Sequence, residues 1–134
     1  MTNEKKFEVH AEITVRLTQQ DVDDIMVSAL EGGICYWCDR VTVEGQYLGK
    51  YASEQISRGG TLKVHVTEPF DEQDTEWYEL DIEKIIQGFR LWLENGGDCY
   101  GAVSGDGKVD CGEIDAGCAD AIIQYALFGE VVYG

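Results

Sequence analysis

The segment TLKVHVTEPFDEQDTEWYEL, residues 61–80, decides the fold of this 134-residue chain. Its first part, Thr61 to Thr67, alternates apolar with polar residues, which is typical of a β-strand with one buried face. Its last part, Glu76 to Leu80, supplies an antiparallel partner across a turn that contains the single proline. The segment therefore predicts a β-hairpin within a small antiparallel sheet.

The same alternation predicts further strands on either side of this hairpin. From Phe7 to Leu17 the odd positions are apolar and most even positions are charged or polar, so we expect a half-buried strand there. A shorter strand is predicted from Arg40 to Glu44, and a closing strand from Val131 to Tyr133.

Apolar residues at helical spacing predict three helices and one shorter helical segment. The three helices follow the capping residues Thr18, Asp81 and Asp115, and the short segment runs from Tyr51 to Arg58. A sheet and helices of this kind form an α+β fold. We expect a single domain over residues 1–134, with about three helices packed on one face of a small antiparallel sheet.

The charge of the chain restricts its partners. Asp and Glu number 26 against 10 Lys and Arg, which gives a formal net charge of −16. Because this charge repels phosphate, we expect no direct nucleic acid binding, and a basic surface or a cation as partner. Acidity that only keeps a small protein in solution is the alternative. No segment approaches the ~18 consecutive apolar residues of a membrane span, so we expect no membrane contact and a cytoplasmic location.

The densest acidic run lies between Glu68 and Glu83, where eight acids occur without a Lys or Arg among them. Two of them, Asp81 and Glu83, suit the dipole at a helix start. A solvated turn is the alternative explanation for the whole run. We predict that the remaining six bind the partner: Glu68, Asp71, Glu72, Asp74, Glu76 and Glu79.

The five cysteines suggest a metal site. Cys35 and Cys38 form a C-x-x-C pair, whose thiolates can bind one Zn²⁺, and Cys99 and Cys111 could complete a tetrahedral site. Either histidine, His10 or His65, could replace a cysteine as ligand. The alternative is a set of reduced, partly buried thiols, and Cys118 is predicted to be a core residue.

A second cation site is suggested by the sequence AVSGDGKVDCGE from Ala102 to Glu113. Its residues from Ser104 to Glu113 fit the Ca²⁺ loop of an EF-hand, although Ala102 stands where the first Asp belongs. A glycine-rich acidic turn is the alternative. No hydrolase, phosphate-binding or zinc-protease motif is found in the chain, so we expect a protein that is not an enzyme.

Three stretches carry a resemblance to known proteins: GGICYWCD (32–39), YASEQISRGGTL (51–62) and DAIIQYALFGEVVYG (120–134). They resemble stretches in small proteins carried by phages and mobile elements of Gram-positive bacteria. Within that group the chain is similar to a type II-A anti-CRISPR, a phage protein that inhibits the host's RNA-guided DNA nuclease.

This resemblance implies a non-enzymatic inhibitor that binds a basic nucleic-acid-binding face of the nuclease and blocks loading of guide or target DNA. The alternative class is a metal-binding structural or regulatory module, with zinc on the cysteines or calcium on the carboxyl-terminal loop. The acidic assignments rest on charge alone, because the resemblance supplies no residue-level motif.

Overall fold

A computed structural model describes residues 5–7, 9, 12, 14–97, 107–108 and 114–134. In these residues the chain forms an α+β fold with a three-stranded antiparallel sheet and three α-helices, as predicted. The elements are α1 (Gln19–Ser28), β1 (Cys38–Val43), β2 (Leu62–Val66), β3 (Trp77–Leu80), α2 (Ile82–Glu94) and α3 (Ala116–Phe128). A π-helical turn, Ala29–Gly33, follows α1, and a 3-10 turn, Ala52–Glu54, precedes β2.

The sheet has the order β1-β2-β3 and is polar on one side only. Leu62, Val64 and Val66 of β2 are buried, and the alternate residues Lys63 and His65 point to the opposite side. The strand register sets these two beside the following residues of the neighbouring strands: Arg40, Thr42, Trp77 and Glu79. We call this polar side the open face.

Each helix begins at a side chain that satisfies free backbone N–H groups. Thr18 and Asp21 form a reciprocal capping box at α1, with hydrogen bonds of 3.0 and 2.9 Å. Asp81 accepts from Lys84 N at 2.9 Å at α2, and Asp115 accepts from Cys118 N at 2.8 Å at α3. The three helix starts read from the sequence are therefore confirmed.

The helices pack closely where glycine removes a side chain. A Cβ atom at Gly88 of α2 would lie 2.6 Å from the carbonyl oxygen of Ile122 in α3. A Cβ atom at Gly33 would lie 2.5 Å from the carbonyl oxygen of Ala116, at the start of α3. Both distances are too short for any larger residue, so these glycines set the position of α3 in the core.

The free edge of the outer strand β3 is covered in part by a lysine side chain from α2. In the part of the chain that the structure describes, β3 pairs with β2 alone. Lys84 of α2 donates from Nζ to the carbonyl oxygen of Glu79 at 2.5 Å. A charged side chain thereby occupies a backbone acceptor that an edge strand would otherwise leave free.

The predicted amino-terminal strand is wrong for the described residues between Phe7 and Leu17. None of these is in a strand, and Phe7 and Val9 are 81% and 85% exposed. Alternation shows that a segment has an apolar and a polar face, but it does not show that a neighbouring strand is available for pairing. Instead, the backbone N–H of Arg16 donates to the carbonyl oxygen of Gly107 at 3.0 Å.

Two other predicted elements also differ from the structure. The closing strand from Val131 to Tyr133 is absent, because the side chain of Gln124 binds the backbone that a strand would use. The segment from Tyr51 to Arg58 contains only the 3-10 turn, followed by further turns. The predicted strand from Arg40 to Glu44 is confirmed as β1 with shifted ends.

Candidate functional site

The turn between β2 and β3 presents the predicted acidic residues on a packed aromatic base. Phe70, at the turn, stacks parallel to Tyr78 with ring centroids 6.4 Å apart, and it meets Phe128 edge-on at 5.0 Å. The hydroxyl of Tyr133 donates to the carbonyl oxygen of Glu68 at 2.6 Å. We call the segment from Glu68 to Glu79 the acidic hairpin. Its shape is set by contacts with α3 and the carboxyl-terminal segment.

Asp71 shapes the acidic hairpin as well as adding charge to it. Its carboxylate accepts from the backbone N–H of Thr75 at 2.7 Å and from the Thr75 hydroxyl at 2.5 Å. These two hydrogen bonds hold the pKa of Asp71 below its ordinary value. Asp74, within the same turn, has a positive φ of 52°. Substitution of Asp71, or of Asp74 by a residue that avoids positive φ, would therefore change backbone geometry together with charge.

The other carboxylates of the acidic hairpin face solvent without a cationic partner. Glu68, Glu72 and Asp74 are exposed, as is Glu79 on β3. Within the described residues, the ion pairs of Lys and Arg side chains involve Arg58 and Arg90, and neither contacts the hairpin. The hairpin therefore projects net negative charge to solvent, with the Lys84 ammonium on the backbone carbonyl of Glu79 at its end.

Glu76 is the exception, because it contacts a histidine on the open face. His65 Nδ1 lies 2.5 Å from Asp39 Oδ1, and His65 Nε2 lies 3.3 Å from Glu76 Oε1. The hydrogen bond to Asp39 raises the pKa of His65, helped by Glu76, and the same bond lowers the pKa of Asp39. The indole of Trp77 lies 4.7 Å from the imidazole, between ring centroids.

The alternation in β2 placed His65 on the polar side correctly, but it did not reveal its partners. Asp39 reaches the imidazole because the register of β1 against β2 shifts between Cys38 and Arg40. A β-bulge of this kind leaves no clear pattern in one sequence. The exposed Trp77 was also not predicted as part of the site, since it reads as an ordinary strand aromatic.

The C-x-x-C pair lies at the entry to β1, and its two thiols differ in environment. Cys35 is exposed, whereas Cys38 is buried, and both are free thiols. Cys35 Sγ lies 3.5 Å from the carbonyl oxygen of Leu30, and Cys38 Sγ lies 3.4 Å from that of Arg40. Burial raises the pKa of the Cys38 thiol, which favours the protonated form of this cysteine in the metal-free protein.

The predicted metal sites are only partly covered by the structure. Cys99 and Cys111 lie outside the described residues, as do His10 and most of the loop from Ser104 to Glu113. Among the residues that the structure does describe, no group of three His, Cys, Asp or Glu side chains is arranged to hold a metal ion. Zinc and calcium binding both stay predictions.

The two residues inside the C-x-x-C motif have a structural role that the sequence did not indicate. Trp37 Nε1 donates to Asp120 Oδ1 at 2.7 Å, and Tyr36 Oη donates to Asp120 Oδ2 at 2.6 Å. Burial, together with Asp120, raises the pKa of Tyr36 to about 12. The ring of Trp37 also stacks on Tyr133, with centroids 5.4 Å apart.

The same network continues to the carboxyl-terminal segment through Gln124, which is completely buried. Its amide donates to Asp120 Oδ1 at 2.9 Å and to the Tyr133 carbonyl at 3.0 Å. Its amide oxygen accepts from the backbone N–H groups of Val132 and Tyr133, both at 2.8 Å. Two of the stretches that carry the resemblance, 32–39 and 120–134, therefore contact each other.

No known protein family, curated protein or solved structure matches this chain. The resemblance to an anti-CRISPR protein therefore stays a prediction. Among the helices in the described parts of the chain, none has the length and apolar character needed to cross a membrane.

Proposed function

We propose that this protein is a non-enzymatic inhibitor that binds a basic nucleic-acid-binding face of a host defence nuclease and blocks loading of guide or target DNA. The supporting observation is the acidic hairpin, whose carboxylates face solvent on a fixed turn without Lys or Arg partners in the described residues. RNA-guided nucleases hold nucleic acid in positively charged channels, which suit such a surface. In this proposal the protein acts in the bacterial cytoplasm, where the nuclease meets its target.

The proposed role of the hairpin is electrostatic recognition. Complementary charge at an interface speeds association and excludes partners of like charge. A turn fixed by Phe70 and by the hydrogen bonds of Asp71 loses little conformational freedom on binding. Ordering of the turn therefore offsets little of the free energy that the carboxylates gain in a cationic channel.

The test is a DNA-cleavage assay in which type II-A RNA-guided nucleases are titrated with this protein. The hairpin variant combines Glu68→Lys, Glu72→Lys and Asp74→Asn, and leaves Asp71 and Glu76 in place because they have other partners. Asparagine is chosen at position 74 because it tolerates positive φ. The matched control combines Glu12→Lys, Glu31→Lys and Glu130→Gln, which changes the net charge equally at exposed positions outside the hairpin.

We expect the hairpin variant to need roughly tenfold more protein than the wild type for half-inhibition at ~0.1 M salt, and the control to stay within about twofold. The difference should shrink as salt rises, because the contacts are charged. Absence of inhibition by the wild type with every nuclease tested would refute the function. Equal inhibition by the two variants would keep the inhibitor but remove the hairpin as its contact surface.

A further inference from the structure

The loop between β1 and the 3-10 turn, residues 44–51, displays large apolar side chains to solvent. Tyr47, Leu48 and Tyr51 are 60%, 49% and 59% exposed. Scattered single hydrophobic residues are normal on a surface, but several within one short loop are typical of an interaction site. We call residues 44–51 the tyrosine loop.

This loop is held in place by a buried polar side chain. Gln55 is 1% exposed, and its amide oxygen accepts from the backbone N–H of Leu48 at 2.9 Å. Its amide nitrogen donates to the carbonyl oxygen of Gln46 at 3.2 Å. A Cβ atom at Gly60 would lie 2.3 Å from Gln55 Nε2, so glycine makes room for this arrangement. The side chain of Gln55 replaces hydrogen bonds that the loop backbone would otherwise make with water.

A second side chain fixes the end of the loop. The carboxylate of Glu54 accepts from the backbone N–H of Lys50 at 2.8 Å and from that of Tyr51 at 3.0 Å. Both bonds lower the pKa of Glu54. The loop thus has a defined shape while its apolar side chains remain in solvent. Fixed tyrosines of this kind bind a partner at low entropic cost.

We propose that the tyrosine loop is a second docking site for the same basic protein partner, and that it contacts arginine and apolar side chains of that partner. This inference rests on the proposed function for the identity of the partner. Tyrosine suits such a contact because its ring stacks on guanidinium groups and also buries apolar area. The Lys50 ammonium lies 5.3 Å from the centroid of the Tyr51 ring, so a guanidinium group that stacks on this ring would take the place of Lys50.

The net charge of the chain indicates which kind of partner binds this surface. Two copies of a chain with a net charge of −16 repel each other, and the same charge repels nucleic acid. Near the loop, Arg58 is paired with Glu54 at 3.5 Å and with Asp23 at 3.7 Å, so its charge is compensated. Within the loop, the charges of Glu44 and Lys50 offset each other, so the attraction for a cationic protein partner comes from the net charge of the chain.

The geometry allows one partner to reach both sites. The tyrosine loop follows Val43, which pairs with the first residue of β2, and the acidic hairpin follows the last residue of β2. A strand of this length separates them by about 15 Å at ~3.3 Å per residue. An interface of ~800 Å² per partner is about 30 Å across, which exceeds this separation, so one partner can reach both sites.

The experiment measures binding to a type II-A RNA-guided nuclease, purified without guide RNA, by biolayer interferometry at ~0.1 and ~0.5 M salt. The loop variant combines Tyr47→Ala and Tyr51→Ala. The control combines Val27→Ala and Ile86→Ala, which removes exposed apolar side chains from α1 and α2. Circular dichroism checks that each variant is folded.

We expect the loop variant to bind roughly tenfold or more weakly at both salt concentrations, because loss of a buried aromatic contact is not screened by salt. The hairpin variant should lose affinity mainly at the lower concentration. Wild-type affinity of the loop variant, together with weakened binding by the hairpin variant, would overturn this inference and leave the proposed function standing. No binding by the wild type would overturn both, and a dimer in sedimentation that the loop variant abolishes would assign the loop to a second copy instead.

Discussion

Replacing Gln124 by leucine tests the network that holds the carboxyl-terminal segment. Gln124 makes five hydrogen bonds, and a leucine side chain at this position would fill a similar volume but make none of them. The N–H groups of Val132 and Tyr133 would lose their partner, whereas the carbonyl of Tyr133 would keep the hydrogen bond that it accepts from the Tyr36 hydroxyl at 3.1 Å. Asp120 and Tyr36 would still bind each other at 2.6 Å.

The expected loss of unfolding free energy follows from these two backbone N–H groups. A buried group without a partner costs about 1–3 kcal/mol, and the lower end applies because Val132 and Tyr133 are only half-buried. The sum is about 2 kcal/mol. Release of the segment into water would instead remove the stacking of Tyr133 on Trp37 and its edge contacts with Phe70 and Phe128, each about 0.5–1.5 kcal/mol. The first route therefore gives about 2 kcal/mol and the second about 1.5–4.5 kcal/mol.

Urea unfolding followed by tryptophan fluorescence measures this loss, and amide hydrogen exchange locates it. The amides of Val132 and Tyr133 should exchange slowly in the wild type and rapidly in the variant. Gln87→Leu, at an exposed position of α2, is the matched control and should change stability by less than about 0.5 kcal/mol. A loss below about 1 kcal/mol for Gln124→Leu, with slow exchange retained, would refute the argument.

Two further predictions concern the open face and the thiols. The pKa of His65 in the folded state lies above 6.5 and that of Asp39 below 3.8, so their pair stabilises the fold most between these values. The His65 contribution is lost as pH rises through its raised pKa, and the Asp39 contribution as pH falls through its lowered pKa. NMR titration should show this elevation for His65 and its reduction in Asp39→Asn, whereas an unchanged value in that variant would contradict it. For the thiols, elemental analysis without chelator should give up to one zinc per chain that is lost in Cys35→Ser, and less than about a tenth of an ion would leave these cysteines as ordinary thiols.

The sequence predicted the hairpin and the three helix starts because their signals are local. Alternation over five residues of β2 and the capping side chains Thr18, Asp81 and Asp115 each depend on near neighbours. The position of the acidic residues on one exposed turn followed from the same local pattern. None of these features needed knowledge of distant contacts.

The features that were missed depend on residues far apart in the chain. Gln124 binds the segment that reads as a strand at Val131 to Tyr133, and Asp120 binds Tyr36 and Trp37 of the C-x-x-C motif. Alternation from Phe7 to Leu17 has no means of showing whether a strand is available for pairing. The structural role of Asp71 was also hidden, because a carboxylate that closes a turn looks the same in sequence as one that faces solvent.

The position of the Lys84 ammonium on the Glu79 carbonyl affects how copies of this protein behave when crowded together. A strand from a second molecule could extend the sheet at β3 only by displacing a charged group from its hydrogen bond. Because this lysine belongs to α2, substitutions of the outward side chains of β3 leave the backbone acceptor at the sheet edge covered. The side chains of the hairpin can therefore change while sheet-to-sheet aggregation at this edge stays disfavoured.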